Sequence, residues 1–266
     1  REDRLLTQNQ PGTTRDTIHV NFQYQSRDLI LIDTAGIRRR KNIRQKVEKF
    51  SIVKALQAIE LSDSVIVLID GIEGITDQDS SLIGLVLKNE RALTIAVNKS
   101  DALDDDQLQV LKRNIDRKLR FINFVDINNV SALENKNLDP VLSSAIDAAD
   151  AASLSVPTKE ISKLIENLIL SNPPPSIQGR RIKLKYAHQG GSQPPIFIVY
   201  GNQTNKIRES YKRFLINQIR KKFGFWGTPI RLEFRNSINP YAEKKNKLSL
   251  RQWRKRKRII RLRKKK

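Results

Sequence analysis

Apolar and polar positions along this chain follow a strand-and-helix rhythm that changes character near residue 156. Residues 17–25 (TIHVNFQYQ) alternate as a half-buried strand does. The stretches 28–36 (DLILIDTAG), 64–74 (SVIVLIDGIEG) and 92–101 (ALTIAVNKSD) are near-continuous aliphatic runs that end in Asp, Gly or Asn. That pattern predicts parallel strands buried on both faces, with polar residues at their carboxyl ends. Between them, 47–62, 76–90 and 104–121 show helical spacing, the last two with acidic starts. Residues 128–133 (NNVSAL) predict a short further strand and 137–153 a closing helix, which completes an α/β doubly wound layout.

After SLSVP (153–157) the order becomes α-β-β-α-β. A Thr-capped helix over 158–171 ends at NPPPS, and strands over 181–189 and 195–202 flank the turn GGSQP. A helix over 207–224 is stopped by Gly224, and 228–235 forms the last strand. This predicts a small α+β sandwich with its helices on one face of a sheet.

Charge sharpens the division. The 266 residues carry a formal net charge of +22, yet residues 1–156 sum to −2 and residues 157–266 to +24. From Lys244 onward, 23 residues hold 14 Lys and Arg and no acid. A near-neutral front joined to a strongly basic rear implies two units with different partners, the rear one a polyanion. The absence of cysteine excludes disulfides and thiolate metal sites. His19 and His188 are too few and too far apart for a zinc site. No apolar run reaches the ~18–20 residues of a membrane helix, so no membrane partner is expected.

The strand ends carry the candidate chemistry. Asp33, in DTAG (33–36), stands where α/β sheets place ligands; it can hold Mg²⁺ through water, and Gly36 lets the backbone approach a terminal phosphate. Alone, an Asp-x-x-Gly strand end is a common turn. NKSD (98–101) offers more: Asn98 can brace the loop, Lys99 can lie along a nucleotide ring, and Asp101 can accept two hydrogen bonds from a guanine edge. Such paired polar contacts reject analogues strongly. Ser131 and Ala132 follow at the next strand end, where a backbone N–H can reach the guanine O6. With Thr13 and Thr14 in NQPGTTRDTIHV (9–20), the ordered set reads as a GTP site.

The runs LLTQNQPGTTRDTI, LIDTAGIRRR, VEKFSIVKALQAIE, IEGITDQD and AVNKSD resemble the Der family, also called EngA, bacterial GTPases with two tandem G domains and a C-terminal KH-like domain. In the rear, GRRIKLKYAHQGG, PPIFIVYGN, SYKRFLINQIRKKF, GTPIRLEFR and NPYAEKKN resemble it too. The resemblance implies a P-loop NTPase-like G domain over 1–155, the second of the pair, a KH-like domain over 156–240 and a basic tail over 241–266. It implies GTP or GDP as ligand and Mg²⁺ as metal. Thr13 and Thr14 would lie in the first switch, with Thr14 meeting the metal. Asp33, Thr34, Ala35, Gly36 and Ile37 would sit on the γ-phosphate side, and Asn98, Lys99, Ser100, Asp101, Ser131 and Ala132 on the guanine side. Ile37 stands where many GTPases carry a water-orienting Gln, which implies hydrolysis assisted by a monovalent cation (K⁺) and names no catalytic side chain. The G-x-x-x-x-G-K-[ST] loop does not occur in the chain, so its place is expected upstream of Arg1.

The implied polyanion is ribosomal RNA of the large ribosomal subunit, met by a monomeric protein in a bacterial cytoplasm. No G-x-x-G is read in residues 157–266, so recognition is expected to rest on charge. The candidates are Arg180, Arg181, Lys183 and Lys185 at one strand, and Lys212, Arg213, Arg220, Lys221 and Lys222 on one helix, which also fits a plain solvated face. In the tail, Trp253, Arg254, Lys255, Arg256, Lys257 and Arg258 form a block that repels itself unless it meets an anion. The competing reading is a non-hydrolysing RNA-binding scaffold with a degenerate G domain.

Overall fold

The computed structural model describes residues 18–33, 55–176 and 182–236, together with 251, 253 and 257. The first alternating run forms β1 (Ile18–Tyr24), which pairs antiparallel with β2 (Arg27–Asp33). Gln25 and Ser26 between them both have positive φ, as a two-residue hairpin turn with the right twist requires. Tyr24 and Arg27 fasten this hairpin to a later helix, Tyr24 through Ser143 (3.2 Å) and Arg27 through Asp150 (2.9 Å).

The other aliphatic runs form a parallel sheet in the order β3 (Ser64–Asp70), β4 (Ala92–Asn98) and β5 (Ile127–Asn129). Helices α1 (Asp77–Lys88) and α2 (Asp105–Lys118) cover one face, bringing Ile83, Val86, Leu111 and Ile115 against Val67, Ile69, Ile95 and Val97. Both begin in capping boxes, Thr76 with Asp79 and Asp104 with Gln107, which satisfy backbone N–H groups that a helix start leaves open. Helix α3 (Leu138–Ser153) covers the other face, Val141 meeting Ala96 and Val130.

Burial on both faces, expected of three runs, holds for β4 alone. Residues Ala92–Val97 are buried, whereas Leu68 of β3 is 65% exposed and Ile30 and Leu31 of β2 are exposed too. Among the described strands of the front half only β4 has strand neighbours on both sides; β2 pairs with β1 and β3 with β4.

The rear half follows the expected order, α4 (Thr158–Ser171), β6 (Lys183–Gly191), β7 (Ile196–Asn202), α5 (Glu209–Phe223) and β8 (Arg231–Asn236). The Thr cap expected of α4 does not form: Thr158 is already helical and Pro157 stands before it with no side-chain cap. Strand β7 lies between β6, antiparallel, and β8, parallel. The stripe Tyr211, Leu215 and Ile219, spaced by four, closes with Ile161 and Ile165 on Leu184, Ala187, Phe197 and Val199.

The halves meet at the starting ends of β4 and β5. Leu93 donates its N–H to the Gly227 carbonyl, and Gly227 donates to the Phe124 carbonyl, both at 2.7 Å. At Gly227 φ is +67°, and a Cβ there would fall 2.3 Å from that of Ala148, so only glycine fits. Gly224 and Gly227 make a G-x-x-G spacing that pattern alone passed over; it joins a helix to a strand, and its Phe225 is fully buried.

Arg220 is buried at this junction, 4% exposed. Its guanidinium donates to the Phe225 carbonyl and, at 2.6 Å, to that of Thr228, and lies 3.7 Å over the Phe124 ring. Burial lowers its pKa to about 10, which leaves it charged at neutral pH. The connecting segment is held as well. Gln189 accepts from the Val156 N–H (2.7 Å) and donates to the Leu154 carbonyl (2.8 Å), and Gln193 donates its backbone N–H to the Ala152 carbonyl (3.0 Å).

Arg220→Ala should lower the unfolding free energy by roughly 2–4 kcal/mol, because charge-assisted bonds vanish and buried carbonyls lose their donor. Lys222→Ala, exposed on the same helix, should stay within about 0.5 kcal/mol. Chemical denaturation of both variants checks this; equal small effects would show that the junction contributes little.

Candidate functional site

Strand β4 ends at Asn98, and the chain must leave the sheet there. Lys99 makes the turn with left-handed backbone (φ 66°, ψ 31°), and a 3-10 turn follows over Ser100–Ala102. The Asn98 side-chain oxygen accepts two backbone N–H groups, from Lys99 at 2.8 Å and from Ala132 at 3.0 Å. One amide thus ties the end of β4 to the loop after β5. Ser100 adds a backbone bond to Val130 (3.1 Å), and Gly71, just past β3, donates to the Asn98 carbonyl (2.8 Å). Three strand ends are laced into one rim.

Lys99 reaches across this rim to Asp70 at the end of β3, 2.8 Å from ammonium to carboxylate. The Asp70 side chain is only 5% exposed and also accepts from the Ile72 N–H at 3.0 Å. Lys99 is therefore stretched over the rim with about half its side chain exposed. Asp101, on the 3-10 turn, presents an exposed carboxylate. Ser131 is buried and accepts from the Glu134 N–H at 3.1 Å, fixing the second loop. Lys136 pairs with Glu134 at 2.6 Å, and its ammonium pKa is raised first by Glu134 and then by Asp101.

The structure therefore brings Asn98, Lys99, Ser100, Asp101, Ser131 and Ala132 together, as one polar edge with an exposed carboxylate beside a lysine stem. Such an edge can accept paired N–H donors from a flat heterocycle while the stem covers its face. One detail differs from expectation: the Ala132 N–H, meant for a base oxygen, is held by Asn98. Asp70 and Gly71 were missed. The signal was present, since SVIVLIDG ends its strand in Asp-Gly.

Asp33 is the last residue of β2, in the other sheet. Its side chain, and Thr13, Thr14, Thr34, Ala35, Gly36 and Ile37, lie outside the described residues.

The described basic candidates of the rear half do not form one patch. Lys183 and Lys185 are exposed on β6, whereas Arg213, Lys221 and Lys222 are exposed on α5, which packs on the opposite face of the sheet. Lys212 is paired with Glu209 at 2.6 Å. Arg220 must be withdrawn as a nucleic-acid contact: its position four residues after the half-buried Ile216 turns it inward, to the junction. In the tail, Lys257 holds its ammonium 4.0 Å from the ring of Trp253, one helical turn earlier. Arg180, Arg181, Arg254, Lys255, Arg256 and Arg258 lie outside the described residues.

Comparison with known families gives two matches. Residues 1–99 match the model described as a 50S ribosome-binding GTPase, and residues 155–235 match the KH-domain-like region of EngA bacterial GTPase enzymes, C-terminal. GTPase Der of Vibrio atlanticus is 46% identical over 259 residues, covering 97% of this chain and 52% of that protein. GTPase Der of Hahella chejuensis is also 46% identical, over 97% of this chain and 55% of its own length. The chain spans about half the length of the curated relatives it matches. Among solved structures it is similar to Era in complex with MgGDPNP and nucleotides 1506–1542 of 16S ribosomal RNA, at 17% identity and a TM-score of 0.44, covering 94% of this chain and 86% of that one.

A Cβ on Gly71 would lie 2.8 Å from the Asn98 carbonyl oxygen and 3.1 Å from Leu103. Gly71→Ala should therefore cost about 1–3 kcal/mol by forcing the rim apart. Gly84→Ala, with nothing within 4 Å inside α1, should stabilise by about 0.5–1 kcal/mol. Denaturation midpoints of the two variants should move in opposite directions.

Proposed function

The chain belongs to the Der (EngA) family of GTPases, and from that premise we propose that it binds guanine nucleotide at the rim around Asn98 and engages RNA with its basic rear half. In this reading residues 1–155 form a G domain, 156–240 a KH-like domain and 241–266 a basic tail. The full-length protein hydrolyses GTP to GDP and phosphate and associates, as a monomer in the bacterial cytoplasm, with ribosomal RNA of the large subunit.

The observation that carries this reading is the pair of hydrogen bonds that the Asn98 side-chain oxygen accepts from Lys99 and Ala132, which holds the NKSD and SAL loops in one rim and leaves Asp101 exposed. Asp101 then accepts the two N–H groups on a guanine edge, which adenine does not present in that arrangement. Lys99, stretched toward Asp70, lays its alkyl stem along the ring. The Ala132 N–H leaves Asn98 for the base oxygen when nucleotide arrives. Mg²⁺ would be held by Asp33 through water and by Thr14, where it would neutralise charge on the terminal phosphates. K⁺ would take the place of a water-orienting side chain at Ile37.

A thermal-unfolding series on the full-length protein tests the nucleotide reading. GTP and GDP at a hundredfold excess over Kd should add about 2.7 kcal/mol of stability, and ATP should add none. Asp101→Ala should abolish the guanine-specific shift with little change in the unliganded melting temperature. A protein that no guanine nucleotide protects, while RNA still binds, would be a scaffold with a degenerate G domain.

A further inference from the structure

In the rear half α4 and α5 cover one face of the sheet, and among the described residues no helix covers the other, the open face. On the open face Tyr186 of β6 stands directly opposite Tyr200 of β7. Their rings stack with centroids 4.6 Å apart and planes 9° from parallel. His188 also stacks with Tyr200, its ring centroid 5.7 Å away and its plane 20° from parallel. Tyr200 is thus stacked with two rings, and Arg235, opposite it on β8, donates to Glu233 at 3.2 Å. Tyr186 is 45% exposed.

A bulge shapes the same edge. The β6–β7 register slips between Leu184 and Tyr186, so that Lys185 opposes no residue of β7. Leu184 and Ala187 point into the core, while Lys185 and Tyr186 are both exposed, with Lys183 exposed two residues earlier. Bulges commonly re-aim side chains beside binding sites. A cross-strand tyrosine pair alone would serve to stabilise the sheet. A three-ring cluster that includes an exposed tyrosine beside two exposed lysines of the same strand does more.

Resting on the RNA reading above, we propose that the Tyr186–Tyr200–His188 cluster is a stacking platform for an unpaired nucleobase, with Lys183 and Lys185 placed for the phosphates on either side of it. The occupant is a single-stranded stretch of RNA. Its bases offer π-faces that a duplex hides between neighbouring pairs, and its charge complements a half that carries +24. The platform reads no particular base, since every base can stack.

The test uses the full-length protein with two labelled probes, a 12-nucleotide oligoadenylate and a 12-base-pair RNA duplex. Tyr186→Ala should weaken oligoadenylate binding about tenfold, the effect of losing one base–aromatic stack, and leave duplex binding unchanged. Because no phosphate contact is lost, the slope of log affinity against log salt should stay the same; Lys185→Ala should lower it by about one. Tyr186→Phe, which keeps the ring, should bind as the unmodified protein does. Unchanged oligoadenylate affinity in Tyr186→Ala, or an equal loss on the duplex, would overturn the platform while leaving RNA binding standing. Failure of the unmodified protein to bind either probe would overturn the RNA reading itself.

Discussion

A single buried cation holds the two halves of this molecule in one arrangement. Among the described residues no carboxylate pairs with Arg220; carbonyls of its own half and an aromatic ring of the other half surround it. Leaving water costs a guanidinium several kcal/mol unless its donors are met, and they are met only while Phe225, Thr228 and Phe124 stay where they are. Its Nε is still buried without an acceptor, so the site is costly and not freely rearranged. Gly227 adds a steric condition to the electrostatic one, because its backbone lies against Ala148 with no room for a side chain. The ion pair between Arg231 and Glu90, also across the junction, is half-exposed and 3.6 Å long, and such surface pairs contribute little.

The junction and the candidate nucleotide rim stand at opposite ends of one strand. Leu93, one residue into β4, bonds the rear half, and Asn98, its last residue, braces the rim. At about 3.3 Å per residue the two are some 17 Å apart, joined by a strand buried from Ala92 to Val97. A tightly packed strand transmits displacement poorly by bending and well by moving as a piece. A shift of the rim therefore reaches Gly227 through β4 or not at all.

Much of this was legible from period alone. The acidic starts of α1 and α2, the helix stop at Gly224 and the rear order α-β-β-α-β all follow from patterns of a few residues. The NKSD and SAL loops were legible because each lies at the end of an aliphatic strand. What escaped depended on three-dimensional neighbours. Arg220 reads as one of three consecutive basic residues, and only its place beside the Tyr211–Leu215–Ile219 stripe hints that it turns inward. The Tyr186–Tyr200 stack depends on a register with a bulge in it, and no alternation rule predicts where an extra residue is inserted.

Charge on the rear half also needs its geometry before it means anything. Uniform spread would make any surface a weak nucleic-acid binder. Instead α5 carries Arg213, Lys221 and Lys222 on one side of the domain, and β6 carries Lys183 and Lys185 on the other. A single extended strand lying on the sheet cannot meet both sets, because two helices and a sheet separate them. The sheet side has rings among its lysines, whereas the exposed residues of α5 are charged or polar and include no ring. Contacts made by charge alone follow phosphates of any strand or duplex, whereas rings distinguish unpaired bases from paired ones. The two faces are thus suited to different parts of one folded RNA, unpaired residues on the sheet and backbone on the helix.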